Sequence, residues 1–172
     1  MFWLVLGTVA ATSVEAEARL EWSLTLPRFD AQFGGLSGIE TDETGSQVIV
    51  VSDRGGLYVL TVTRGGEGAI VSAITPLPFL SPEGPPMTQG KNDTEGLAFG
   101  PAGAKFVSTE NPARVLTLGW GGETATVETP ASFGKMQTNG SLEAIAIGPD
   151  GAIYTLPERS GRYDEPFPVY RY

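Results

Sequence analysis

The 172-residue chain contains no histidine and no cysteine. Without histidine, the sequence cannot form a Ser-His-Asp triad, an imidazole base or a histidine-ligated zinc site. Without cysteine, it has no thiol nucleophile, no disulfide and no thiolate metal site. Any acid–base chemistry must therefore use carboxylates, lysine, tyrosine or a metal-bound water.

Positive charge is also scarce in this chain. Eleven lysines and arginines stand against 20 acidic residues, which gives a formal net charge of −9 and a sequence pI of about 4.4. Such a charge disfavours binding to nucleic acid or to an anionic membrane surface. The sequence therefore predicts a surface that attracts cations.

The rest of the composition indicates a single all-β domain. The chain is 41% hydrophobic and 18% charged, so it can bury a core. The 23 glycines and 13 prolines favour short strands joined by turns and disfavour long helices.

The first 18 residues, "MFWLVLGTVAATSVEAEA", are typical of a secretory signal peptide. Their apolar run is too short to span a bilayer. The segment ends in a small-x-small triplet whose last residue is Ala18, as signal-peptide cleavage sites do. Because a positively charged start is missing, a buried N-terminal strand or helix stays as the alternative. We predict cleavage after Ala18, a mature domain of residues 19–172 and a periplasmic or secreted location. No other segment has the length and apolarity of a transmembrane span.

Three segments of the sequence are similar to one another, and they begin at Ser37, Glu95 and Glu143. The starts lie 58 and 48 residues apart, a spacing found for the blades of β-propellers. Each segment has a glycine-containing turn followed by a β-rich run, with turns predicted at Thr44–Ser46, Pro101–Gly103 and Pro149–Gly151. The pattern predicts a propeller-like array of antiparallel blades, about three of which are present.

Acidic residues recur at the open end of these predicted hairpins. Residues equidistant from a hairpin turn face each other. Ser37 should therefore lie opposite Asp53, and the pairs Glu95–Glu110 and Glu143–Glu158 should do the same. Like charges placed directly opposite are destabilising, so two facing pairs of glutamates require a compensating positive charge.

One source of that charge is a divalent cation. The oxygen-donating side chains near the open ends suit Ca²⁺, which takes six to eight oxygen ligands, and they do not suit zinc. The predicted metal ligands are Asp53, Asn92, Asp93, Glu95, Glu110, Asn139, Glu143 and Glu158.

Arginine is the alternative source. Arg54 and Arg159 directly follow acids, and Arg114 lies four residues after Glu110, so this alternative predicts a structural ion pair for each acid. The loops that enter the second and third hairpins, Thr75–Lys91 and Thr129–Asn139, either take part in function or only cover this face. The aromatic residues Trp22, Phe99, Trp120 and Tyr154 are predicted to be core.

Several motifs, taken in order, resemble a known family. The strings "GGLSGIE", "VVSDRGGLY", "EGLAF", "FVSTENPARV", "EAIAIGPDGAIYTLPE" and "FPVYRY" are together similar to the phytase-like (esterase-like) β-propellers of exported bacterial proteins. The resemblance extends from about Gly34 to Tyr172. Because such proteins are roughly twice as long, it implies a truncated member or fragment, and we expect self-association through unpaired blades.

The resemblance also implies a function. It suggests a Ca²⁺-dependent hydrolase acting on a small phosphate ester or carboxyl ester, with Glu95 and Glu143 as the catalytic candidates. The candidate substrate-binding residues are Arg54, Lys91, Arg114 and Arg159. Two alternatives stay open: a non-catalytic propeller that binds a ligand or partner, and a lactonase of the sugar-lactone type.

Overall fold

The computed structural model describes residues 18–66, 68–160 and 164–172. All but the last residue of the predicted signal peptide lies outside these ranges. The described part of the chain forms strands and two short 3₁₀-helices, Pro101–Gly103 and Phe133–Lys135. Among the described residues, none forms a helix with the length and apolar character needed to cross a bilayer.

The strands form three antiparallel sheets that follow one another along the chain. The first consists of β1 (Leu36–Thr41), β2 (Gln47–Ser52), β3 (Leu57–Gly65) and β4 (Gly68–Leu77). The second consists of β5 (Thr94–Phe99), β6 (Lys105–Thr109), β7 (Arg114–Leu118) and β8 (Thr124–Thr126). The third consists of β9 (Leu142–Ile147), β10 (Ile153–Pro157) and β11 (Tyr170–Arg171).

This arrangement confirms the prediction of consecutive propeller blades. The first strands of the three sheets, β1, β5 and β9, lie next to one another in that order, as the inner strands of a propeller do. The predicted turns also lie where the sequence places them: the 3₁₀-helix at Pro101–Gly103 joins β5 to β6, and turns join β1 to β2 and β9 to β10.

Apolar side chains fill the spaces between blades. Val51, Leu97 and Leu116 belong to the core between the first two blades. Leu142 and Phe133 belong to the core between the second and third. The outer face of the first blade is covered by the chain that precedes β1, whose residue Phe33 lies 4.9 Å from the ring of Tyr58.

The predicted register of the three hairpins is wrong. Each has a β-bulge near its open end, where one residue of the first strand is skipped by the pairing. The skipped residues are Ser37, Glu95 and Glu143. The two predicted glutamate pairs therefore do not face each other across the ladder. Bulges of this kind bend the strand and redirect a side chain.

The prediction that Trp120 is a core residue is also wrong. Its side chain is 78% exposed, and the ammonium group of Lys105 lies 3.1 Å from its ring centroid. Phe99 is partly buried and packs against the core between the first two blades. Trp22 and Tyr154 are partly buried.

Candidate functional site

Each blade places two residues at the same end in equivalent positions. One is the bulge residue of the first strand, and the other is the acid that directly follows the second strand: Asp53, Glu110 or Glu158. The backbone N–H of each acid donates to the carbonyl oxygen two residues before the bulge. These bonds run from Asp53 to Gly35, from Glu110 to Asp93 and from Glu158 to Ser141, at 2.9, 2.8 and 2.7 Å.

Stacking of the blades brings acids from the second and third blades together. One carboxylate oxygen from each of Glu110, Glu143 and Glu158 lies within 4.8 Å of the other two. Glu110 is buried, Glu143 is partly buried and Glu158 is exposed. We call these three residues the carboxylate cluster. The sequence predicted that these acids share a face, and the structure adds that Glu110 of the second blade joins Glu143 and Glu158, which both belong to the third blade.

Backbone amides hold the Glu110 carboxylate in place. Its Oε1 atom accepts hydrogen bonds from the N–H groups of Gly140 and Ser141, the latter at 3.2 Å. The Ser141 hydroxyl donates to the Glu110 carbonyl at 2.5 Å. Because these bonds connect the end of β6 to the chain entering β9, the cluster is built at the junction of two blades.

Glu95 lies beside the cluster, partly buried in the bulge of the second blade. Burial raises the pKa of Glu95 to about 7, and the charges of Glu143, Glu110, Asp53 and Asp93 add to the effect. Burial also raises the pKa of Glu143, with further contributions from Glu110 and Glu158. The face therefore concentrates negative charge that water alone does not screen.

The other predicted metal ligands lie around this face, but they have different surroundings. One oxygen of Asp53, Oδ1, is buried and has no hydrogen-bond partner. Asp93 accepts a hydrogen bond from the Gly90 amide. Asn92 is buried and its side-chain oxygen accepts a bond from Arg114. Asn139 is exposed and directly precedes Gly140.

Among the described residues, arginine forms an ion pair with one member of the cluster, Glu158. Arg54 lies 3.9 Å from Asp53, and Arg159 lies 3.6 Å from Glu158. Both are substantially exposed pairs, which contribute little to stability. The expected pairing of Arg114 with Glu110 is wrong, because Arg114 binds Glu83 at 2.9 Å. Within the described residues, no cationic side chain forms an ion pair with Glu95, Glu110 or Glu143.

One groove reaches the cluster and a second groove adjoins the first, since Asn111 and Pro112 line both of them. One has a volume of about 370 Å³ and reaches Glu110. Its lining includes Ala113, Phe133 and Met136, so it is partly apolar. The other has a volume of about 650 Å³ and is lined by polar side chains that include Glu83, Lys91, Asn92 and Arg114. The sequence did not indicate Glu83 or Ser141, because neither belongs to a recurring acid–turn pattern.

The fold and the site define a partial β-propeller with an acidic inner face. The sequence profile of the phytase-like family, described as esterase-like activity of phytase, matches residues 31–172. The chain therefore belongs to this family, as its motifs predicted. A comparison with curated protein sequences finds no significant match.

Solved structures show the same fold at low identity. A streptogramin B lyase is 14% identical with a TM-score of 0.50, over 86% of this chain and 42% of that one. A catalytically inactive virginiamycin B lyase from Staphylococcus aureus, with quinupristin, is 12% identical with a TM-score of 0.50, over 86% and 43%. The chain thus spans less than half the length of these propellers. At this identity the likeness shows the fold alone.

Proposed function

We propose that the carboxylate cluster binds a divalent cation, Ca²⁺, and that the protein hydrolyses small esters beside it. The observation that carries this proposal is the approach of the Glu110, Glu143 and Glu158 oxygens to within 4.8 Å of one another. Two of these acids are wholly or partly buried and have no cationic partner among the described residues. A bound cation would relieve their mutual repulsion in the ionised state, which in the metal-free protein raises the pKa of Glu143.

The donors fit Ca²⁺ in type and spacing. Oxygen atoms bind Ca²⁺ at about 2.4 Å, so two oxygens on one ion can be up to about 4.8 Å apart. Glu110, Glu143 and Glu158 would hold the ion, and Asp53, whose Oδ1 atom accepts no hydrogen bond, is a further oxygen donor at the same end of the blades. The absence of nitrogen and sulfur donors disfavours zinc.

The residues of the chain then divide into positioning and proton-transfer roles. When bound, Ca²⁺ supplies charge stabilisation at an ester oxygen and lowers the pKa of a bound water. The Gly140 and Ser141 amides orient the Glu110 carboxylate. Glu95 lies next to the cluster and is partly buried, so its carboxylate can accept a proton from an attacking water.

The lining of the smaller groove favours a carboxyl ester as the substrate. This groove reaches Glu110 and has Phe133, Met136 and Ala113 in its walls, which suit a small apolar acyl group. A polyphosphate would need many cations. Arg54, Arg114 and Arg159 each form an ion pair with an acid, which leaves Lys91 as the one predicted substrate-binding residue without such a pair among the described residues.

Hydrolysis assays with and without the metal test the proposal. The protein is treated with EDTA, returned to buffer with or without Ca²⁺, and assayed on p-nitrophenyl butyrate, p-nitrophenyl phosphate and a γ-lactone. We expect Ca²⁺-dependent turnover of the butyrate. Turnover of only the lactone would favour a lactonase, and Ca²⁺ binding without turnover of any substrate would favour a binding propeller.

Matched variants identify the site responsible. Glu143→Gln removes one cluster charge at constant size and should abolish the Ca²⁺-dependent rate. Glu128→Gln makes the same change at an exposed position after β8 and should leave the rate unchanged. Equal rates for the wild type and Glu143→Gln would overturn the assignment of the cluster.

A further inference from the structure

The larger groove contains a buried arginine whose hydrogen bonding is incomplete. The Arg114 side chain is only 10% exposed. One of its terminal nitrogens donates to Glu83 and the other to Asn92. Its Nε atom is buried and has no hydrogen-bond partner. A guanidinium group has five N–H donors in a planar fork that suits two-point binding of an oxyanion, and here the fork is only partly used.

The acid that binds this arginine belongs to a short surface loop. Glu83 is 63% exposed, in marked contrast to its partner. The loop is closed at its base by a bridge between Leu80 and Pro86 and by a backbone bond from Ser81 to Pro85. The hydrogen bond with Arg114 lowers the pKa of Glu83 to about 2. Glu83 therefore places a charged carboxylate in the groove at neutral pH.

An exposed carboxylate on a buried guanidinium occupies the position that an anionic ligand would take. The exposed partner can turn into solvent without leaving a charge desolvated, whereas the buried arginine cannot. Lys91 and Asn111 also line the groove, so an incoming anion would meet a second cation and an amide. The volume of about 650 Å³ leaves room for a ligand larger than the glutamate side chain.

We infer that the groove at Arg114 binds an oxyanionic group of the ligand, a carboxylate or a phosphate, and that Glu83 is the intramolecular competitor which this group displaces. The inference rests on the proposed function in one respect. The two grooves meet at Asn111 and Pro112, so an ester held at the carboxylate cluster would carry its anionic group into the larger groove. The preferred substrates would then be esters with a second, negatively charged group.

Anion titrations of the whole chain test the inference. Sodium phosphate and sodium acetate are titrated into the EDTA-treated protein at constant ionic strength, and binding is followed by calorimetry. We expect saturable binding of at least one anion to the wild type. Glu83→Gln removes the competing charge and should tighten binding about two- to fivefold, the range set by an exposed ion pair. The anion that binds more tightly identifies the group.

Three further variants make the result specific. Glu43→Gln removes an equivalent charge in the distant turn between β1 and β2 and should match the wild type. Arg114→Lys keeps the charge but removes the planar fork, and it should abolish binding. If that variant does not fold, Lys91→Gln at the exposed edge of the groove replaces it and should weaken binding. Identical affinities for the wild type and Glu83→Gln, or no saturable binding in either, would overturn the inference.

The test is independent of the metal. Because the metal and the EDTA are both removed before the titration, failure of the Ca²⁺ proposal leaves the expected anion titration unchanged. Conversely, Ca²⁺-dependent turnover with equal efficiency on neutral and anionic butyrate esters, together with a flat anion titration, would retain the proposed function and reject the role of Glu83.

Discussion

Glu110 and Ser141 bind each other through both main chain and side chain across the junction between the second and third blades. The Ser141 amide donates to the Glu110 carboxylate at 3.2 Å, and the Ser141 hydroxyl donates to the Glu110 carbonyl. Ser141 is fully buried. This contact connects the stability of the blade junction to the position of a cluster carboxylate.

Loss of the Ser141 hydroxyl should therefore destabilise the protein. Ser141→Ala leaves the buried Glu110 carbonyl without this donor, which costs about 1–3 kcal/mol. Urea denaturation followed by fluorescence measures the change in the free energy of unfolding. Ser132→Ala is the control, because Ser132 is exposed and makes no capping bond with its side chain. Equal stabilities of the two variants would contradict a structural role for the contact.

Calcium should stabilise the folded protein in a saturable way. A ligand that binds only the folded state adds about 2.7 kcal/mol at 100 times its Kd, which is about 5–10 °C in Tm for a chain of this size. Glu95→Gln combined with Glu143→Gln should abolish the shift seen by differential scanning calorimetry. If arginine pairs hold the acids instead, Ca²⁺ changes nothing and Arg159→Ala destabilises more than either single glutamine variant.

The metal-free protein should lose stability as pH rises toward neutrality. The pKa of Glu95 is about 7 in the folded state against an ordinary value of 4.5, so folding favours its protonated form. This contribution to the free energy of unfolding is fully present below pH 4.5 and is lost as the pH rises through 7. The Tm in EDTA should fall across this window, and Glu95→Gln should reduce the fall. A Tm that is level or rises between these pH values would contradict the raised pKa.

Close packing of the inner strands predicts a penalty for a methyl group at Gly96. A Cβ atom there would lie 2.7 Å from the Ser108 hydroxyl and 2.8 Å from the Glu143 carbonyl. Gly96→Ala should therefore separate β5 from β9 and cost about 1–3 kcal/mol, with weaker Ca²⁺ binding by calorimetry. Gly65→Ala is the control variant, because a Cβ atom at Gly65 would have no atom within 4 Å. Similar effects of the two substitutions would show that the strands move apart freely.

Export remains a prediction from the N-terminal sequence. If residues 1–18 are a signal peptide, mass spectrometry of protein from the native host should identify Arg19 as the first residue. The control is the same chain with Ala16→Leu and Ala18→Leu. These substitutions remove the small residues of the cleavage site, so this variant should keep its signal peptide. Wild-type protein that keeps Met1 in the cytoplasmic fraction would reject the prediction.

Local sequence patterns determined the blades, their turns and the end at which the acids lie. Turn dipeptides such as Asp150-Gly151 and the β-rich runs beside them act over a few residues, and their effect does not depend on distant parts of the chain. The six motifs taken in order, which include those around Glu95 and Glu143, also identified the family. The list of oxygen donors followed from composition, because the chain offers neither imidazole nor thiolate.

Only the tertiary structure decided which of these residues meet. Equidistance from a turn predicts pairing in a regular ladder, but the pairs beside each turn are already shifted by one residue, and the bulge shifts the register by one more. Arg114 binds Glu83 from a loop 31 positions away, whereas sequence proximity suggested Glu110. The carboxylate cluster arises from the stacking of one blade on the next, because hydrophobic packing between sheets, and not spacing along the chain, brings Glu110 to Glu143 and Glu158.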